Sequence, residues 1–182
     1  MKVPLARLPR MIYLEDFGGN YTSYIDAVYE VFKRDFIDHQ TSFGSNCLRL
    51  KHHPEYQDRA YTFYHMTHEG KDEQNRTPDL RRCERMPWAR PTIETFPPHE
   101  VRFWEQIRSG HHRICIWLEI DERENYYVVL DVRKTFVLLW TAFCAMHPHQ
   151  ARKKAKEHAE WYKNNPNITT PDELVADIQS RI

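Results

Sequence analysis

Long apolar runs are missing from this chain. No stretch approaches the ~20 residues needed to cross a bilayer, so no membrane-spanning helix is expected. Paired cysteines are missing too. Cys47, Cys83, Cys115 and Cys144 stand far apart, with no CxxC pair and no zinc-ligand spacing, which excludes a zinc ribbon. Cys115 and Cys144 fall inside apolar stretches and read as small core residues, so a reducing, cytoplasmic compartment is the simplest expectation. Net charge is absent as well: 26 basic residues balance 26 acidic ones. That balance predicts no protein-wide field drawing in nucleic acid, so a polyanion would have to be held by a local basic patch. The first residues, MKVPLARLPRMIYL, carry charges and are broken by Pro4 and Pro9, so no signal peptide is expected. The N-x-T triplets at Asn20, Asn75 and Asn167 then carry no glycosylation meaning. Glycine is scarce, at 5 residues, and the 11 prolines fall mostly between periodic segments, where they punctuate the chain rather than disorder it.

What is present suits one folded α+β domain, residues 1–182. The chain is 41% hydrophobic and 13% aromatic, enough apolar surface for a sizeable core. Residues 1–20 read as an arm ending in Gly18-Gly19-Asn20. A helix is predicted over 23–37, started by Ser23 with Asp26 three residues on and striped by Ile25, Val28, Phe32 and Phe36. Residues 47–50 make a weak strand, and Tyr61–Met66, β-prone on both faces, a central one. Residues 67–99 read as a long irregular loop, and Glu100–Arg108 as a short helix with Val101, Trp104 and Ile107 on one face. The clearest pattern follows: Ile114, Ile116, Leu118 and Ile120 alternate with Cys115, Trp117 and Glu119, then come strands at 126–130 and 136–143 joined by tight turns, an antiparallel meander. A basic helix over about 149–163 is expected to turn Ala151, Ala155, Ala159 and Tyr162 inward. Thr170-Pro171-Asp172-Glu173 starts a last short helix within 167–182.

Four features can carry chemistry. His65 lies near the end of the Tyr64-His65-Met66-Thr67-His68-Glu69-Gly70 segment and suits either a structural imidazole or a general acid or base near neutral pH. The HEGKD run is not HExxH, so no metal site is expected there. Residues 76–90 hold five arginines, Arg76, Arg81, Arg82, Arg85 and Arg90, against Asp79 and Glu84. Arginine grips phosphate through a planar fork, and Trp88 nearby is able to stack on a base; a solvated loop of ion pairs is the competing reading. Thr141 stands in an apolar strand beside Trp140, where it either satisfies its hydroxyl locally or donates to a phosphate. Arg152, in the run Arg152-Lys153-Lys154-Ala155-Lys156, belongs either to the wet face of a helix or to a grip on an RNA backbone.

Read together, YIDAVYEVFKRDFI, TFYHMTHEG, RTPDLRRCERMPWARPTIE, RICIWLE and YYVVLDVRKTFVLLWTAF resemble the phage-type nucleases of the barnase–EndoU–colicin–RelE-like (BECR) superfamily. The similarity runs from about Tyr24 to about Tyr162, and its most specific parts are the His65 segment, the PDLRRCER loop and the WTAF strand. The resemblance implies an N-terminal helix packed on an antiparallel sheet of about four to five strands, with a basic helix following, over a core at 21–163. It implies a cofactor-free, metal-independent endoribonuclease, often a toxin with an antitoxin or immunity protein as partner. It also implies that His65, Arg81, Arg82 and Thr141 cluster as a catalytic site, with Trp140 and Arg133 added. The usual TAY of the last strand reads Thr141-Ala142-Phe143 here, so a tyrosine hydroxyl is lacking. These residue types suit RNA cleavage through the 2′-hydroxyl, which needs a base, an acid and cations facing the transition-state charge. Arg85, Trp88, Arg90 and Arg152 join Arg133 and Trp140 as expected RNA contacts. A catalytically idle module that binds RNA or protein is the alternative.

Overall fold

A computed structural model of the chain describes every residue except 1, 71, 73, 74 and 146. Helix α1 (Tyr21–Lys33) starts where the Asn20 side chain accepts a hydrogen bond from the Ser23 N–H at 3.0 Å, and it runs on into one π-helical turn, Arg34–Asp38. The cap thus falls three residues before Ser23, while the expected stripe of Ile25, Val28, Phe32 and Phe36 is buried. Strands β1 (Ser42–Phe43) and β2 (Asn46–Arg49) form a hairpin. Helix α2 (Tyr61–Thr67), strands β3 (His68–Glu69) and β4 (Thr77–Pro78), and helices α3 (Leu80–Glu84) and α4 (Ala89–Glu94) follow. Four long strands come next: β5 (Val101–Arg108), β6 (His111–Glu119), β7 (Asn125–Arg133) and β8 (Phe136–Cys144). Helices α5 (Pro148–Asn164) and α6 (Pro171–Arg181) end the chain. The α6 start matches its sequence signal, with Thr170 accepting from the Glu173 N–H at 3.2 Å and Glu173 accepting from the Thr170 N–H at 3.0 Å. No helix among the described residues is long and apolar enough to cross a membrane.

The main sheet runs β1-β2-β8-β7-β6-β5, and β3 pairs separately with β4. Strands β5 to β8 form an antiparallel meander, but β2 lies parallel to β8. The expected antiparallel sheet of four to five strands is therefore corrected to a mixed sheet of six. Both faces are covered. Ile114, Ile116, Leu118 and Ile120 join Val128 and Leu130 in a core shared with α1, α4 and α6 residues. Cys115, Trp117, Tyr127 and Val129 form a smaller cluster under α5. The N-terminal arm is tied down: Val3 N–H donates to Glu119 O at 2.8 Å and Ile12 N–H to Glu84 O at 3.0 Å.

Three further expectations change. Tyr61–Met66 is helical, and all seven residues of α2 are buried. A short apolar run buried on every side has no periodicity to tell strand from helix. Its first N–H groups are taken by the preceding segment, Tyr61 N–H on His52 O at 3.1 Å and Thr62 N–H on Lys51 O at 3.0 Å. The segment 67–99 holds two strands and two helices instead of one irregular loop; its residues 71, 73 and 74 lie outside the described residues. Residues 101–108 form a strand, because Val101 and Phe103 enter the main core while Trp104 enters the cluster under α5; burial on both faces imitated a helical stripe. Finally, α5 is rotated from its expected setting. Ala151, Ala155 and Trp161 face the sheet, whereas Ala159 and Tyr162 are exposed.

Candidate functional site

An irregularity in β8 builds the site. Across from β7, Val129 pairs with Thr141 but Leu130 pairs with Leu139, so Trp140 is an extra residue in the ladder. Such a bulge bends its strand and re-aims side chains. Before it, Val137 and Leu139 point into the main core; after it, Ala142 and Cys144 do. Strict alternation would have sent Thr141 inward with Leu139. Instead Trp140 and Thr141, adjacent in sequence, both border one cleft of about 640 Å³.

The opposite wall comes from α2, β3 and α3. His65 sits in the last turn of α2, where carbonyls lack helical partners. Its carbonyl accepts from Thr141 Oγ1 at 3.0 Å and from Arg82 Nη1 at 3.3 Å. Arg82 Nη1 also donates to Thr141 Oγ1 at 3.3 Å, and Arg82 Nε to Asp79 at 3.1 Å. Asp79 in turn caps α3 by accepting from the Arg82 N–H at 3.3 Å. A cation at a helix C-terminus is electrostatically favourable, so this knot closes α2 and ties it to β8.

The His65 ring lies 4.8 Å from the Trp140 ring and 5.6 Å from that of Tyr61, centroid to centroid, and the residue is 8% exposed. Burial first, then the positive charges of Arg76, Arg82, Arg113 and Lys51, push its pKa down to about 3. The imidazole is thus neutral at physiological pH, and its Nδ1 is buried without a hydrogen-bond partner. His68 is also held neutral, its pKa lowered to about 4 chiefly by burial, but it packs against the stacked rings of Tyr56 and Tyr64 and bonds Thr67 Oγ1 at 2.9 Å, a structural role.

Charge is segregated around this cleft. Among the described residues it is lined by Arg76, Arg82, Arg108, Arg113, Lys153 and Lys154 against only Glu69 and Asp79, in a chain whose formal charge is zero. Phe143, Trp140 and Val129 provide apolar surface, and His149 and Gln150 stand at the α5 rim. Arg113 lies over the Trp140 ring at 4.6 Å and directly across the ladder from Asp131. Among the described residues no group of three or more His, Cys, Asp or Glu side chains is arranged as metal ligands.

Of the expected catalytic residues, the fold brings together His65, Arg82 and Thr141, with Trp140 beside them. Arg81 is not with them. It lines a separate pocket of about 370 Å³ with Glu122, Arg123 and His147, because consecutive helical residues project about 100° apart. Most of the expected RNA contacts do not line this cleft. Trp88 is fully buried, its indole N–H donating to Pro9 O at 2.9 Å, so it offers no face to a base. Arg85 is buried and grips Glu124 at 2.7 and 3.1 Å and Glu84 at 2.8 Å. Arg90 pairs with Glu94 at 3.1 Å, and Arg133 with Asp131 at 2.6 Å. Arg152 is exposed on α5, but the cleft takes Lys153 and Lys154 from that helix instead. Sequence reasoning missed Arg108, Arg113, His149 and Glu69, whereas Arg76, Lys153 and Lys154 fall within the arginine-rich segment and the basic run it singled out. Arg113 had a signal: the period-2 pattern puts it on the same face as Cys115 and Trp117, a cation on a buried face. Comparisons with family models, with curated proteins and with solved structures find no match.

Proposed function

We propose that this chain is a metal-independent endoribonuclease that binds RNA in the cationic cleft and leaves 2′,3′-cyclic phosphate ends. The observation that supports it is the concentration of six cations around one aromatic-floored cleft in a protein without net charge. In this reading the 2′-oxygen attacks phosphorus, its proton passes to the neutral His65 imidazole, and the bond from phosphorus to the 5′-oxygen breaks. His149, the other imidazole bordering the cleft, is the candidate proton donor to that leaving oxygen. Nearby cations oppose protonation of His65. Burial is the larger cause of the low pKa; an RNA phosphate offsets the cationic part of it and so raises the basicity of the imidazole when substrate is bound. The guanidinium groups stabilise the charge that develops on the phosphorane, a contribution of about 3–4 kcal/mol per well-placed donor. If the enzyme is a toxin, its partner is an antitoxin or immunity protein that closes the cleft in the cell that makes it.

One observation favours a second reading. His65 is 8% exposed with its pKa near 3, a weak base, which suits an RNA-binding module without turnover. Incubation with total cellular RNA, with and without EDTA and beside His65→Ala, separates the two. EDTA-resistant cleavage with cyclic phosphate ends, lost in the variant, is the expected result. Intact RNA throughout, with salt-sensitive binding by folded protein, selects the binding module.

A further inference from the structure

The cleft floor collects buried polar atoms without partners. Nε of Arg76, Nε of Arg113 and Nδ1 of His65 are each shut away from solvent without a hydrogen-bond partner, and all three residues line the same cleft. Buried polar atoms are nearly always paired, so orphans gathered around one cavity mark a place for an occupant that presents acceptors to the two arginines. Arg82 is different: its Nε and Nη1 are committed to Asp79, Thr141 and the His65 carbonyl. Arg113 Nε faces Asp131 Oδ1 at 3.9 Å, an ion pair too long for a hydrogen bond, and that oxygen is itself buried without a hydrogen-bond partner, while Arg133 holds the other oxygen, Oδ2, at 2.6 Å. Arg76 is anchored through its backbone, whose N–H donates to the Tyr64 hydroxyl at 3.1 Å, so its side chain does not have to hold the fold.

We propose that Arg76 and Arg113 form a phosphate clamp on the cleft floor, gripping the non-bridging oxygens of one phosphate beside the His65 ring, while Arg82 is a positioning residue. A tetrahedral oxyanion suits two guanidinium groups lining one cleft, and the guanidinium fork suits two of its oxygens at once. The clamp deepens the RNA-cleavage reading and rests on it only for the source of the phosphate, an RNA phosphodiester rather than free phosphate.

The test compares wild type with Arg76→Gln and Arg113→Gln. Binding of a short single-stranded RNA is measured by calorimetry, and inorganic phosphate binding by thermal shift against chloride at equal ionic strength. Each Gln variant is expected to lose roughly ten- to a hundredfold in RNA affinity and most of the phosphate shift. Arg76→Gln is expected to hold its ligand-free melting temperature, because no hydrogen bond from its Nε is lost, whereas Arg113→Gln also loses its packing on Trp140 and its ion pair with Asp131 and is compared at temperatures where it is folded. Arg113→Lys keeps the charge and recovers part of the affinity, and it serves as the folded control if Arg113→Gln fails to fold. Wild-type affinity for RNA and phosphate in both Gln variants overturns the clamp and leaves the RNA reading standing. Phosphate binding that needs both arginines, with no RNA bound or cleaved, keeps the clamp and removes the RNA reading. If wild type binds neither ligand, both fall.

Discussion

Lowering the pH should destabilise this protein through His65 in a way that one substitution can isolate. The His65 pKa falls from 6.5 to about 3 on folding, first because the ring is buried and second because guanidinium groups surround it. The unfolded chain therefore takes up a proton below pH 6.5 that the folded chain refuses. Stability from this group is complete above the unfolded value, falls as pH drops through 6.5, and stops falling near the folded value of 3. The loss approaches about 1.4 kcal/mol per pH unit, or about 2.7 kcal/mol between about pH 7.5 and about pH 4.5. Urea unfolding of wild type and His65→Asn in phosphate-free buffers measures it. The variant loses its packing on Trp140 at every pH, a constant offset, and His68 and the carboxylates titrate in both proteins. The stability difference between wild type and variant should therefore shrink by about 2.7 kcal/mol over that range, at unchanged m. A pH-independent difference would show that His65 is protonated equally in both states, and the buried neutral imidazole would have to be abandoned.

Other consequences follow from the same contacts. Arg85→Met should cost about 3 kcal/mol in urea unfolding, because it strands Glu124 and Glu84 without their buried cation; an unchanged midpoint would refute the structural assignment of Arg85. Trp140→Ala should weaken single-stranded RNA binding by about 1–3 kcal/mol, whereas Trp88→Phe, deep in the core, should leave it alone; equal losses would undo the distinction between them. Thr141→Val should lower stability by about 1–2 kcal/mol by removing the hydroxyl that bridges the His65 carbonyl and Arg82, as read from thermal unfolding. Lys153→Ala should flatten the dependence of log affinity on log salt by about 0.7, and an unaltered slope would take Lys153 off the RNA path.

Much of the frame is written in local patterns. The meander is legible because Ile114 to Ile120 alternate, and α6 because Thr170, Pro171 and Glu173 each satisfy a helix-end requirement. The α1 stripe shows its helical period for the same reason: one face is buried and the other is not. Where an element is buried on both sides, the pattern disappears. That is why local pattern predicts a strand at α2 and a helix at β5. The parallel pairing of β2 with β8 joins residues about ninety positions apart, and nothing local encodes it.

The site divides in the same way. The sequence by itself determined the residue types for anion chemistry, the grouping of arginines at 76–90, and the nomination of His65, Arg82 and Thr141. Only the tertiary structure decided which of these meet. Arg81 and Arg82 part because a helix turns about 100° per residue, and Arg85 is consumed by Glu124, which lies far along the chain. The bulge at Trp140 was decided there too: one unpaired residue reverses the facing of β8, so Thr141 leaves the core and borders the cleft. The charge of the cleft is likewise a product of folding. A chain with no net charge acquires a cationic hollow because cations from α3, β5, β6 and α5 converge on it, while among the described residues only Glu69 and Asp79 bring acidic side chains to its lining, and composition records only the sum.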